Sequence, residues 1–237
     1  AIALIALVKR APRVAVTAES ARVSPWRAIA APLSERGFRW LLAIFVANGI
    51  AAAVPASLVL FFVADRLQME HQSGVLLALY FVAAACSMPM WARLAHRWGL
   101  HATWLAGMAL AIGTFAWAYA VGPGDFVAFA LVCTLSGIGL GADLALPPAL
   151  LARVIGRSGH SGAHEGAYFG LWNFANKMNL ALAAGLALPV LEALGYAPGA
   201  RDATALDALA FAYAVLPCLL KLAAAALLLV AWRGQRC

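Results

Sequence analysis

Six long apolar stretches separated by short polar connectors dominate the chain, at roughly 40–64, 73–92, 101–122, 125–150, 166–191 and 208–232. Each is long enough to cross a hydrocarbon core of about 30 Å as a helix. Backbone groups in lipid must be satisfied within the segment, and the alternation typical of a membrane barrel is absent. The pattern predicts an all-α integral membrane protein, a bundle of six transmembrane helices.

The composition agrees with this interpretation, since 65% of the residues are hydrophobic and only 11% are charged. Soluble domains are closer to half apolar and a quarter charged. The surplus apolar surface therefore needs a bilayer as its solvent, and membrane lipid is the first expected partner.

The charged connectors indicate an orientation. Thirteen Lys and Arg residues lie on one side of the predicted spans, in 9–39, 93–100, 151–165 and 233–237. The other side has only two, Arg66 and Arg201. The positive-inside rule makes the basic side cytoplasmic, with both ends of the chain there, and we expect a bacterial inner membrane. The net charge of +7 is explained by the basic connectors on the cytoplasmic side. It therefore does not indicate a nucleic-acid partner, and we expect none.

The polar segments also predict the organisation of the chain. Residues 1–8 are apolar but span only about 12 Å as a helix, so we interpret them as the end of a preceding transmembrane helix. Residues 9–39 resemble a cytoplasmic linker with a short helix near Trp26–Leu33, residues 40–232 form the bundle, and 233–237 are a cytoplasmic tail. Transporters built from two six-helix halves have such a linker, so we expect an N-terminal six-helix half as a partner.

Three ionisable residues stand out in the interior of the predicted spans, and such residues are costly in lipid and often functional. Asp143 lies ten residues before Arg153, and Lys177 lies twelve residues after Glu165. Both are thus about 15–18 Å from the cytoplasmic side. We predict that they form an ion pair or face one polar cavity; a pair that only fixes packing is the alternative.

The third ionisable residue, Lys221, is in the last span, where a long side chain can extend toward the interface. Asn48, in the first span, is a further candidate for a cavity-lining residue. Neither position has a sequence pattern that identifies its partner.

The fifth span is unusually polar, with aromatic, amide and lysine side chains at Tyr168, Trp172, Asn173, Asn176, Lys177 and Asn179. Tyr168, Trp172 and Asn176 follow at intervals of four and are expected to share a face with Asn179. Aromatic rings beside amides and a charge suit the binding of a sugar. The alternative is that the amides only bond neighbouring helices.

Glycines and prolines in the fourth span suggest close packing and irregularity. Gly137 and Gly141 form a small-xxx-small pattern that permits close approach of another helix. Pro147 and Pro148 are expected to break or kink the helix after them. Such breaks also occur at moving or binding segments of transporters.

Enzymatic patterns are missing from the sequence. There is no HExxH motif and no nucleophile elbow, and the four cysteines have no metal-binding spacing. We therefore predict no catalytic residue, no metal and no cofactor other than a coupling ion. A structural subunit without transport activity is the alternative from a different class.

The connector after the second span reads Pro89-Met-Trp-Ala-Arg-Leu-Ala-His-Arg-Trp-Gly-Leu-His101. It resembles the loop signature of the major facilitator superfamily, with matches at Leu94, Arg97 and Gly99. The resemblance implies the C-terminal half of a twelve-helix fold. It also implies a cytoplasmic gating loop that includes Arg93, Arg97 and Gly99.

The start of the fifth span, from Glu165-Gly to Phe174-x-x-Lys177, resembles the glycoside–pentoside–hexuronide cation symporters. The resemblance implies that Lys177 lies near the sugar and cation sites. The expected function is that of half of a secondary active transporter, which carries a sugar or glycoside together with Na⁺ or H⁺ by alternating access. A proton-coupled transporter of another small molecule is the nearest alternative.

Overall fold

The computed structural model describes residues 25–159 and 164–234, and all regular structure in these two ranges is helical. Six of its helices are long and apolar enough to cross a membrane: Arg36–Arg66, Glu70–Trp98, Leu100–Ala118, Phe126–Ser158, Glu165–Ala193 and Ala203–Gly234. The predicted all-α, six-span architecture is confirmed. The predictions for 1–8, for the first part of the linker and for the end of the tail fall outside the described residues.

We number the α-helices of these ranges as α1 (Pro25–Ser34), α2 (Arg36–Phe61), α3 (Ser73–Trp98), α4 (Leu100–Ala118), α5 (Phe126–Ser158), α6 (Glu165–Ala193), α7 (Ala203–Ala210) and α8 (Leu216–Gly234). A π-helical turn, Phe62–Arg66, extends α2, and another, Phe211–Val215, joins α7 to α8 into one span. A short 3₁₀ turn, Glu70–Gln72, leads into α3. Helix α1 lies where the sequence predicts a short helix in the linker.

The order of packing differs from the order along the chain. Helix α5 packs against both α3 and α4, α8 packs against α4 and α2, and α6 packs on α2. Helix α6 therefore stands at the edge of the bundle. We call the end that carries the arginines of α3, α5 and α8 the basic end, and the other the acidic end.

The connector predicted between the second and third spans is almost entirely helical. Helix α3 continues to Trp98 and α4 begins at Leu100, so only Gly99 makes the turn, with a φ of 81° that favours glycine. Arg93 and Arg97 therefore lie on the last turns of α3 and not in a loop. The apolar pattern ends at the lipid boundary, whereas helical hydrogen bonding continues past it, and basic side chains suit a helix C-terminus.

Of the break or kink predicted at Pro147 and Pro148, the break is wrong. Helix α5 continues through both prolines to Ser158, and α2, α3 and α6 likewise contain Pro55, Pro89 and Pro189. Membrane helices tolerate proline because neighbouring helices and local adjustments satisfy the freed backbone groups. A kink at this position stays a prediction.

The predicted close approach at the glycines of α5 is confirmed. A Cβ on Gly137 would overlap the backbone oxygen of Tyr80, and one on Gly141 would lie 2.8 Å from the backbone oxygen of Ala84. The hydroxyl of Ser87 also fills the space beside Gly141 and donates to the backbone oxygen of Ala84. The absent side chains let α3 and α5 approach at backbone distance.

The acidic end is closed by a buried carboxylate. Asp65, in the π-helical turn after α2, is only 6% exposed. Its side chain accepts hydrogen bonds from the hydroxyl of Tyr196 (2.5 Å) and the backbone N–H of Gly199 (2.9 Å). Burial, and then the hydrogen bond and charge of Asp65, raise the pKa of Tyr196 above its ordinary value, so its hydroxyl remains a donor. The connector after α6 is thereby held over the end of α2.

Two apolar clusters fill the bundle, one toward each end. Leu58, Phe62 and Tyr213 belong to the cluster at the acidic end, where the rings of Phe62 and Tyr213 stack at 4.1 Å. Phe38 and Leu150 belong to the cluster at the basic end. Along the last span, Lys221 lies between Ala214 of the first cluster and Ala224 of the second.

We expect Gly137→Ala to destabilise the protein by about 1–3 kcal/mol, because the added methyl group meets backbone that cannot rotate away. Gly113→Ala is the matched control, since nothing lies within 4 Å of a Cβ at that exposed position of α4. Thermal unfolding of the purified protein in detergent measures both. Equal melting temperatures for the two variants would contradict close packing of α3 and α5.

We expect Asp65→Ala to lower the free energy of unfolding by about 1–3 kcal/mol, because it leaves the buried hydroxyl of Tyr196 and the backbone N–H of Gly199 without their acceptor. Asp125→Ala is the control, because it removes a carboxylate at the same end that is exposed. The side chain of Asp125 makes no capping hydrogen bond at the start of α5. The same unfolding measurement compares them. A loss of stability in the Asp125 variant as large as in the Asp65 variant would disprove the specific role of Asp65.

Candidate functional site

A polar network occupies the middle of the bundle. The ammonium of Lys221 on α8 donates to Oδ2 of Asp143 on α5 and to Oδ1 of Asn48 on α2, both at 2.8 Å. The other carboxylate oxygen, Oδ1 of Asp143, accepts from Nε1 of Trp104 on α4, also at 2.8 Å. Four helices therefore meet at one buried carboxylate–ammonium pair, which we call the Asp143–Lys221 network.

This network is nearly closed to its surroundings. The side chains of Lys221 and Asp143 are 5% and 11% exposed, and Asn48 and Trp104 are buried. Either charge alone would be very unfavourable there, so each requires the other and its hydrogen-bond partners. Asn48 lies twelve residues after Arg36 and Lys221 thirteen before Gly234, so both are about 18–20 Å from the basic end.

The predicted ion pair between Asp143 and Lys177 is wrong. Asp143 pairs with Lys221, while Lys177 is exposed on α6. The two lysines lie at similar depth, but α8 packs beside α4 and α2, whereas α6 lies on the far side of α2. Depth can be estimated from the sequence, but the neighbour of a helix cannot. The expectation that Lys221 extends toward the interface is also wrong. Its partners, Asp143 and Asn48, lie near the middle of the membrane and hold the ammonium there.

The two aromatic candidates of α6 pack against α2. The ring of Tyr168 meets Phe38 edge-on at 4.8 Å, and the ring of Trp172 stacks on Phe45 at 3.7 Å. Both side chains are buried. Their contacts explain how α6 is attached to the bundle, and any contact with a ligand stays a prediction.

The polar candidates of α6 point the other way. Asn173, Asn176 and Lys177 are exposed, and together we call them the amide–lysine face. The expectation that Asn176 shares a face with Tyr168 and Asn179 is therefore wrong, since Asn179 is buried and Asn176 is not. Lys177 makes no ion pair with the carboxylates of residues 25–159 and 164–234.

The location of the amide–lysine face has an energetic consequence. Lys177 lies twelve residues from the start and sixteen from the end of α6, near the middle of the membrane. A lysine at the centre of a lipid-facing helix costs about 2.5–3.5 kcal/mol by insertion measurements. This face is therefore expected to meet water or another protein surface.

Asn179 adds a buried contact between α6 and α2 that lacks a hydrogen bond. Its side chain is 3% exposed and its Nδ2 has no hydrogen-bond partner. The amide lies against Gly49, where a Cβ would overlap it. An unsatisfied buried amide costs about 1–3 kcal/mol, which weakens the attachment of α6 to α2.

The residues predicted for a gating loop are at the basic end. Arg93 and Arg97 are exposed one turn apart on α3, and neither pairs with a carboxylate in the part of the chain that the structure describes. Gly99 provides the turn into α4. The geometry allows both arginines to contact a partner surface, and their gating role stays a prediction.

Among the described residues, no group of three or more His, Cys, Asp or Glu side chains is placed to hold a metal ion. The network at Asp143 is different in kind. Its carboxylate is held by the ammonium of Lys221 and the indole N–H of Trp104, and the same ammonium also binds the amide of Asn48.

Comparison with known proteins adds one finding. A family model described as MFS/sugar transport protein matches residues 1–231, nearly the whole chain. No curated protein matches the chain.

We expect Asp143→Asn and Lys221→Met each to destabilise the protein by about 3–5 kcal/mol. Each single change leaves the other charge of the pair buried without its partner. The double variant is expected to be much closer to wild type, since both charges are then absent. Asp207→Asn is the control, because the Arg66–Asp207 pair is solvent-exposed, with 62% exposure at Asp207, and such pairs contribute about 1 kcal/mol or less.

Thermal unfolding in detergent, arranged as a double-mutant cycle, measures this coupling. If the loss of stability in the double variant equals the sum of the losses in the two single variants, the two residues do not depend on each other. The Asp143–Lys221 network would then have no coupling energy of its own.

Proposed function

Because this chain belongs to the MFS/sugar transport protein family, it is a multi-pass membrane transporter, and we propose that it transports a sugar or glycoside together with a cation. The observation that carries this proposal is the exposed amide–lysine face at mid-membrane depth on α6. The positive-inside rule supports a cytoplasmic location for the basic end, in a bacterial inner membrane.

The amide–lysine face has the chemistry of a site for hydroxyl groups. Asn173 and Asn176 each offer two N–H donors and a carbonyl acceptor, and Lys177 offers three charged donors. A sugar presents many hydroxyl groups that both donate and accept. Transporter sites commonly lie at the midplane between two halves, which is the depth of Lys177.

The same face supports a partner bundle. Lipid cannot solvate Lys177, and apolar side chains flank the polar stripe, among them Phe174 with 64% exposure. A second six-helix bundle would cover the apolar side chains of α6 and leave a water-filled cavity at the amide–lysine face. We therefore propose that an N-terminal half packs along α6, with the substrate between the two bundles.

The Asp143–Lys221 network favours a proton over Na⁺ as the ion that this half senses. A Na⁺ ion at Asp143 would meet the ammonium of Lys221, which is 2.8 Å from the same carboxylate. A proton would instead neutralise Asp143 and release Lys221 to Asn48 alone. That change would loosen the contact between α5 and α8 within this half.

A proton-coupled transporter of another small molecule would use the same two features. The amides and lysine would then bind different polar groups, and the network would act in the same way. The nature of the transported compound separates this function from sugar symport. A structural subunit without transport would need neither feature for anything but stability.

We expect Lys177→Ala and Asn173→Ala to reduce gradient-driven uptake of the transported glycoside. The loss at Lys177 should be about tenfold or more, because a hydrogen bond to a charged group is worth about 1.5–3 kcal/mol. Uptake of a glycoside panel, with a proton or a Na⁺ gradient, is measured in vesicles containing the chain and the proposed N-terminal half. Leu182→Ala is the control, an exposed residue of α6 about 140° around the helix from Lys177.

Several outcomes would change the proposal. If no glycoside enters but another small molecule does, the sugar assignment fails and the transporter remains. Uptake that follows only a Na⁺ gradient would overturn the role of Asp143 as a proton acceptor. Unchanged uptake in the Lys177 variant, at equal amounts in the membrane, would remove the amide–lysine face from the site.

A further inference from the structure

A cavity of about 420 Å³ lies at the basic end, away from α6 and from the polar network. It is formed by the first turns of α2 and α4 and the last turns of α5 and α8. The volume is within the range of about 300–1,000 Å³ that is typical of ligand sites. The residues that the argument uses are Glu35, Arg36, Ile44, Leu150, Arg153 and Arg157.

The rim of this cavity is positively charged. Three arginines, Arg36, Arg153 and Arg157, face one carboxylate, Glu35. None of the three arginines forms an ion pair with a carboxylate of the described ranges, Glu35 included. Topology requires positive charge on this side of the membrane, but it does not require that the charges converge on one cavity.

The start of α2 adds to the positive electrostatic potential at the rim. Helix α2 begins at Arg36, on the rim, and its first backbone N–H groups and the positive end of its dipole lie there. Phosphate groups bind readily at such positions when basic side chains are also present. The rim thus combines two sources of attraction for an anion.

Deeper in the cavity the lining becomes apolar. Ile44 lies eight residues into α2 from Arg36, about 12 Å further from the rim, and it is buried. Leu150 lies one turn deeper on α5 than Arg153. The cavity is therefore charged at the membrane surface and apolar toward the membrane interior, which is the arrangement of a phospholipid itself.

We propose that this cavity binds one anionic phospholipid of the leaflet on the basic side. The phosphate contacts Arg36, Arg153 and Arg157, and the first part of an acyl chain lies against Ile44 and Leu150. Basic pockets between membrane helices on this side of the membrane suit such headgroups. The bound lipid would join the end of α5 to the start of α2, and the proposal does not depend on which compound is transported.

The chain offers a matched pair of variants to test this site. Arg153→Gln/Arg157→Gln removes two arginines one turn apart inside the cavity, and Arg93→Gln/Arg97→Gln removes two arginines one turn apart outside it, at the same end. The protein is placed in phosphatidylcholine vesicles with increasing fractions of pyrene-labelled phosphatidylglycerol. Energy transfer from tryptophan to pyrene reports binding, since Trp40 also lines the cavity.

We expect saturable binding of phosphatidylglycerol by the wild-type protein. The half-saturating fraction should rise roughly tenfold or more in the Arg153/Arg157 variant, since each basic residue near the surface contributes about 1 kcal/mol. It should change less than about twofold in the Arg93/Arg97 variant. Arg36→Gln should raise it roughly fivefold, and this single exposed change provides a test if the double variant does not fold.

Three results would overturn the proposal. Equal weakening by both double variants would mean a diffuse attraction between a basic surface and an anionic membrane. Equal binding of pyrene-labelled phosphatidylcholine would mean that the arginines are not involved. Displacement of the labelled lipid by inorganic phosphate at comparable concentration would identify a site for free anions, not for lipid.

Discussion

The buried ion pair between Asp143 and Lys221 is the interaction on which the arrangement of the bundle depends. Through Asn48 and Trp104 it connects four of the six spans at one depth, with an apolar cluster toward each end. A charge at this place is tolerable only when its partner is present, so α5 and α8 must stay in register. The same dependence underlies the proposal that a proton on Asp143 would release Lys221.

The remaining two spans are attached by different physical means. Helix α3 approaches α5 through Gly137 and Gly141, where missing side chains permit extensive backbone contact. Helix α6 is held by aromatic contacts of Tyr168 and Trp172 with α2, and the unsatisfied amide of Asn179 weakens that attachment. The bundle therefore consists of five well-joined spans and one edge helix. That helix presents amides and a lysine outward, which is why the proposed site for the substrate is on it.

The two ends of the bundle also differ in how they are closed. At the acidic end the carboxylate of Asp65 binds the connector after α6 and satisfies its donors. At the basic end the helices separate into a cavity whose arginines have no carboxylate partner among the described residues. One end is thus stabilised from within, whereas the other has charge left to bind an outside group. The phosphate of a lipid in that position would provide a negative charge for the donors of the basic end, as the carboxylate of Asp65 does at the acidic end.

The apolar pattern alone determined the six spans, and the spacing of Gly137 and Gly141 indicated a close helix contact, because both are properties of a single helix. The cost of charge in lipid likewise singled out Asp143, Lys177 and Lys221 without any structure. Only the tertiary structure decided that Lys221, and not Lys177, is the partner of Asp143. A sequence gives the depth of a residue along its own helix, whereas the neighbour it meets depends on how helices pack around one another.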